Sequence, residues 1–197
     1  MGGKPVRILV AVVAIVLVVV ALVLPRQPQS VREVMNTAPV SDAERELMAA
    51  VQLVQSGQNP MEGIMRIRAL VEADSTYEEA HLWLGAFSLQ SGQRDKATER
   101  FEMVIRLNPK NPEPHWQLAM MAIDEKAYEA AIPHLMTSVA LDSAYVNGLF
   151  FAARCYEELG DRAKALELYQ EYLPYSTDTV VTSRVEEFIE VIETELK

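Results

Sequence analysis

The chain has 197 residues, 50 % of them hydrophobic, with 18 Lys and Arg against 28 Asp and Glu, a formal net charge of −10. The excess lies downstream: residues 40–197 hold 14 basic and 27 acidic side chains, a formal −13, so the chain has no basic footprint for nucleic acid and is poorly suited to tight docking on anionic lipid heads. A single cysteine, Cys155, excludes an intramolecular disulfide.

A short tail, residues 1–7, carries Lys4 and Arg7. Residues 8–24, "ILVAVVAIVLVVVALVL", are then apolar without interruption. Such a run reaches the short end of the ~17–25 residues a spanning helix needs. The rival is a cleaved signal peptide, which has a shorter apolar region and ends at a small-x-small site. This run ends in "LVLPRQ", so an uncleaved anchor is expected. Lys4, Arg7 and the terminal amine precede the span; Arg26 and Arg32 follow it. The bias leans towards N-inside. The expectation is a single-pass protein of a bacterial inner membrane, its C-terminal domain outside the cytoplasm. Residues 25–42, "PRQPQSVREVMNTAPVSD", read as a linker. A flexible chain of that length spans roughly 24 Å, which keeps the domain near the bilayer.

Beyond the linker the chain repeats itself with a period of 34. The blocks 44–77, 78–111, 112–145 and 146–179 follow one another without a gap. Ala50, Leu84, Leu118 and Ala152 share a position, and Gly85, Ala119 and Ala153 share the next. Small residues recur at Gly63, Ala97, Ala131 and Ala165, with larger ones four later at Ile67, Phe101, Leu135 and Tyr169. Gly57, Gly92 and Gly160 mark turns between paired helices. Ser41 with Glu44 and Ser75 with Glu78 have the spacing of capping boxes, and Asn111-Pro112 reads as an N-cap followed by proline at the first helical position. Pro133 falls about one turn into its helix, where it is tolerated or kinks it. Residues 180–197 form a last amphipathic helix, with Val181, Val185, Phe188, Ile189, Ile192 and Leu196 on one face; an open stack end needs such a cap.

This pattern resembles the tetratricopeptide repeat, a helix–turn–helix unit of that length. The resemblance covers residues 44–179. It departs in the first repeat, where Val51 replaces the small residue, and at the terminal proline, present only as Pro109. It implies an all-α solenoid of four helix pairs, closed by the C-terminal helix and hung from the anchor. The plan resembles bacterial single-pass proteins whose tetratricopeptide domains assist secretion, envelope assembly or cofactor-protein maturation.

One stretch is oilier than an amphipathic helix requires. In "HLWLGAFSLQ", residues 81–90, apolar side chains go most of the way round. In the family, repeat positions 5, 9 and 12 face a concave groove. Carried onto this chain they are Met48, Gln52 and Gln55; Leu82, Ala86 and Leu89; Trp116, Met120 and Ile123; Phe150, Arg154 and Glu157. The resemblance therefore implies a groove with an apolar centre, suited to an apolar or amphipathic segment of a partner protein. The alternative is structural: the groove is filled by the chain itself or by a second copy, as in a homodimer. Arg154 is the one basic residue among the twelve, so the Lys, Asn and Arg set that clamps a partner's terminal carboxylate is missing. Asp124, Glu125, Glu157 and Glu158 gather at helix ends as an acidic lip, either solvated or facing a basic partner.

No catalytic signature stands out: no phosphate loop, dinucleotide fingerprint or zinc-protease motif, and no cofactor is expected. His81 and His115 share a repeat position, which suggests separate packing roles rather than one metal; His134 lies in another helix. Cys155 has no partnering base in any recognisable pattern. The expectation is a binding module, not an enzyme.

Overall fold

The computed structural model describes residues 40–177 and 179–195. The tail 1–7, the expected span 8–24 and the linker up to residue 39 lie outside the described residues. Among the residues described, no helix is long and apolar enough to cross a membrane.

The described chain is all helical, with nine α-helices and no strand. They are α1 (Asp42–Gln55), α2 (Pro60–Ala73), α3 (Glu78–Gln90), α4 (Arg94–Leu107), α5 (Glu113–Asp124), α6 (Tyr128–Leu141), α7 (Asn147–Glu158), α8 (Arg162–Tyr172) and α9 (Thr179–Glu195). Short 3-10 turns stand at Ser143–Tyr145 and Leu173–Tyr175. Consecutive helices pair as α1/α2, α3/α4, α5/α6 and α7/α8, each pair packs on the next, and α9 packs on α8. This is a solenoid of stacked hairpins.

Two kinds of turn, each recurring, build it. Between paired helices the chain passes through the left-handed region, with φ of +69° at Gly57, +75° at Gly92 and +80° at Gly160. The third pair does this without glycine, at Lys126 with φ +59°. Between pairs, Asp74, Asn108 and Asp142 each accept, through the side chain, the backbone N–H two residues on, at 2.9, 3.1 and 2.8 Å. Their carbonyls take the N–H groups of Tyr77, Asn111 and Tyr145. One Asx turn is thus built three times, 34 residues apart.

The capping signals divide. Ser41 and Glu44 form the reciprocal box at the start of α1. Ser75 and Glu78 do not, because the Asp74 turn delays α3 to Glu78 and leaves Tyr77 at its N-cap. Asn111 still caps α5, its side chain accepting from Glu113 N–H at 2.9 Å, while Pro112 sits just outside the helix. Pro133 lies within a continuous α6. It withholds a hydrogen bond from the Glu129 carbonyl, and Glu129 is exposed to water.

Large and small residues mesh at the helix crossings. Ile67, Phe101, Leu135 and Tyr169 are fully buried, as are Ala97, Ala131 and Ala165. Gly63 lets α2 approach the α1 backbone: a Cβ there would stand 2.5 Å from the Ala50 carbonyl oxygen. At Gly85 a Cβ would stand 2.6 Å from the Phe101 ring.

Candidate functional site

The twelve groove-register residues are treated differently along the chain. On α1, Met48 is 42 % exposed, and Gln52 and Gln55 lie open to solvent. On α3, Leu82 is only 7 % exposed, packed with Phe101, Val104 and Met121. It is wall, not contact surface. Ala86 and Leu89 beside it are half-buried. The reason is the stack: α3 is sandwiched, with Leu84 and Phe87 facing the first pair, where Trp83 joins them, and Leu82 and Leu89 facing the third. Most of the surplus oil in residues 81–90 is inter-repeat packing.

Further on, the aromatics connect. Trp116 meets Tyr145 and Phe151 edge-on, at centroid distances of 5.8 and 5.6 Å. Phe150 lies 5.6 Å from Phe151 and Tyr172 and 5.9 Å from Tyr169. Tyr169 stacks on Phe188 of α9 at 5.8 Å. Trp116, Met120, Ile123 and Phe150 remain half-buried, each keeping an accessible edge. Arg154 is not free: its guanidinium lies over Phe188 at 5.5 Å and pairs with Glu157 at 3.4 Å and Glu158 at 3.7 Å.

The acidic lip is likewise occupied from within. Arg94, at the start of α4, donates to Glu125 at 2.5 Å, to the Met121 carbonyl at 2.7 Å, and stands 3.8 Å from Asp124. One guanidinium caps the C-terminus of α5 and offsets two carboxylates that oppose its dipole. Glu157 accepts from the Tyr169 hydroxyl at 3.0 Å; burial, with Glu157 beside it, pushes that hydroxyl well above its ordinary range.

The remaining chemistry-bearing groups are mostly satisfied. Burial pushes the Cys155 thiol up to about 11, so it stays protonated and unreactive. Tyr145 donates to Glu113 across the third pair. Tyr77 holds the same repeat position, yet its buried hydroxyl finds no acceptor among the described residues. The residue matching Glu113 in the first repeat is Arg45, itself paired with Asp42. Burial, then Glu79 and Glu44, push the Tyr77 hydroxyl up to about 12.

The histidines fall into two facing couples, one in the second helix pair and one in the third. His81 is 2 % exposed. Its Nε2 stands 3.0 Å from the Ser75 carbonyl and its Nδ1 3.2 Å from the Arg100 guanidinium. A guanidinium only donates, so Nδ1 accepts and Nε2–H donates. His115 on α5 and His134 on α6 face each other, with Nδ1 to Nδ1 at 3.0 Å. Both couples join repeat positions 4 and 23. The equal offsets, 81 to 100 and 115 to 134, were the available signal. Among the described residues no group of three or more His, Cys, Asp or Glu is gathered as a metal site. A cavity of about 380 Å³ opens beside Gln52, Leu53, Glu62 and Arg66, away from these couples.

Comparison with known proteins places the fold. Residues 149–173 match the family described as the tetratricopeptide repeat. No curated protein sequence matches the chain. Among solved structures, one of the MamA protein is similar with a TM-score of 0.64 and 19 % identity, covering 77 % of this chain and 81 % of its own. A second MamA structure gives 0.61 and 18 %, covering 80 % and 86 %. The N-terminal domain of stress-induced protein-1 (STI-1) from C. elegans gives 0.53 and 18 %, covering 56 % and 93 %. Identities this low speak to the fold alone.

Proposed function

We propose that this tetratricopeptide-repeat protein is a membrane-tethered interaction module. It holds an apolar or amphipathic segment of another protein, and does no catalysis. The observation that carries the reading is the run of half-buried apolar side chains at groove register: Leu89, then Trp116, Met120 and Ile123, then Phe150. Solenoids of stacked pairs present extended concave surfaces for binding. Trp and Phe offer large rigid area there, and Met adapts to an irregular partner. The in-chain partners of Asp124, Glu125, Glu157 and Glu158 leave the lip a minor part of recognition, so apolar contact dominates. Residues 8–24 supply the tether, in a bacterial inner membrane with the repeats outside the cytoplasm, where the work is envelope assembly or protein secretion and maturation.

A structural reading competes for one part of the groove. Phe188 covers Arg154, and Phe150 leans on Tyr169 and Tyr172, so the chain closes its own groove at the fourth pair. Self-association would extend that closure.

Photocrosslinking in cells tests both. A photoreactive residue replaces Trp116 or Met120, with Glu102 on α4 as the control. One distinct foreign protein captured from the groove positions and not from Glu102 is the expected result. Crosslinks to a second copy, or none beyond the control, would overturn partner binding and leave a self-filled scaffold.

A further inference from the structure

His115 and His134 project from the two helices of the third pair and stop with their Nδ1 atoms 3.0 Å apart, ring centroids at 5.2 Å. Two neutral imidazoles at that distance form one hydrogen bond, the Nδ1–H of one ring donating to the bare Nδ1 of the other. Among the described residues neither ring has another hydrogen-bond partner, whereas His81, at the matching position one repeat earlier, is held at both nitrogens by Ser75 and Arg100. Both rings are half-buried. Among the described residues, the carboxylate whose charge bears on His134 is Glu102 on α4.

We infer that His115 and His134 form a two-imidazole site for a divalent transition-metal ion, bridging α5 to α6 in place of that hydrogen bond. Geometry selects the class. With metal–nitrogen bonds of about 2.0–2.1 Å, nitrogens 3.0 Å apart subtend roughly a right angle at the metal. That is a cis pair of a square-planar or octahedral ion, such as Cu²⁺ or Ni²⁺, rather than the wider tetrahedral angle of Zn²⁺. Water fills the other positions, and the Glu102 charge favours the cation. Binding needs both rings as the Nε2–H tautomer. The proton between the two Nδ1 atoms leaves for water, and water returns one to Nε2 of the same ring. Both ligands therefore stay neutral and no net proton is released. The site lies on α5 and α6 and stands independently of the groove reading.

The second pair supplies the control variant. His134→Arg copies Arg100, the side chain that already faces His81 in this fold, and so leaves a foldable protein without the second ligand. The full chain, purified without a polyhistidine tag, is titrated with CuCl2, NiCl2 and ZnCl2. Thermal unfolding is followed by circular dichroism, and the Cu²⁺ form by electron paramagnetic resonance. The expected result is one Cu²⁺ per chain, a spectrum split by two imidazole nitrogens, a midpoint several degrees higher, and affinity at least tenfold weaker in His134→Arg. Cu²⁺ or Ni²⁺ bound equally well by that variant would overturn the site. So would Zn²⁺ bound more tightly than Ni²⁺, or no rise in midpoint for any of the three.

Discussion

The second and third helix pairs share one register and fill it differently. Where α4 brings the ring of Phe101 against α3, α3 gives up a side chain at Gly85; where α6 brings only Leu135, α5 affords Ala119. At positions 4 and 23 the second pair sets Arg100 against His81, and the third sets His134 against His115. At the hairpin turn the second has Gly92 and the third Lys126. Side chains thus trade in facing couples while the backbone stays put. A single residue read alone misleads; its opposite number decides whether it is core, clamp or free ligand.

The largest expected break is at position 24. Phe101→Ala removes a buried ring at a cost of about 3–5 kcal/mol, against about 2–5 kcal/mol for Leu135→Ala. The first should be the larger, because Phe101 serves α3 through Gly85 and also belongs to the cluster with Leu82 and Met121. Urea unfolding of the two variants checks the order. Next comes Gly85→Ala, whose Cβ would meet the Phe101 ring at 2.6 Å; overpacking of that kind costs about 1–3 kcal/mol. In a Phe101→Leu background, which copies the third pair, most of that cost should vanish. A double-mutant cycle with no coupling would refute the pairwise trade.

The all-helical repeat was legible because small and large residues return every 34 positions, and helix crossings demand that spacing. The site was less legible, for a physical reason. Leu82 carries the groove register, yet stacking buries it between pairs. Asp124 and Glu125 look like a free acidic lip, but Arg94, some thirty residues upstream, reaches them across the stack. His115 and His134 meet only once α5 and α6 are folded against each other. Periodicity reports positions within a repeat; it does not report what the neighbouring repeat brings to them. The turns were half legible: three glycines announced the left-handed residues, and the recurring Asp74, Asn108 and Asp142 went unread.

Acid sharpens the contrast between the couples. Burial holds His81 below its ordinary value, with the Arg100 charge acting the same way and the Ser75 bond opposing. The unfolded chain takes up a proton as pH falls through about 6.5; the folded chain resists. Stability is therefore complete above that pH and declines below it, by at most about 1.4 kcal/mol per pH unit for one such group. His81→Leu, copying Leu47 and Leu149, should make the unfolding midpoint fall less between pH 7.5 and 5.5. A residual slope should persist, since burial also lowers His115 and His134. An unaltered slope in His81→Leu would mean that Arg100 and His81 separate before the imidazole titrates.

The smallest effect expected is at the turn, and its sign is a close balance. Lys126 sits at φ +59°, a conformation that costs a residue with a Cβ about 1–2 kcal/mol. Glycine removes that cost but loses more freedom on folding, roughly 0.5–1 kcal/mol. Lys126→Gly should therefore stabilise by about 0.5–1 kcal/mol, with the bonds from Lys126 N–H to Ile123 and from Ala127 N–H to Ala122 intact. The reciprocal Gly92→Lys should destabilise by a similar amount, because a Cβ at Gly92 meets nothing within 4 Å and only backbone strain is added. Equal and opposite shifts in the urea midpoint would show that the two turns differ in side chain alone. If Lys126→Gly instead destabilises, the lysine stem contributes more to the third pair than its backbone strain removes, and the two turns are not equivalent.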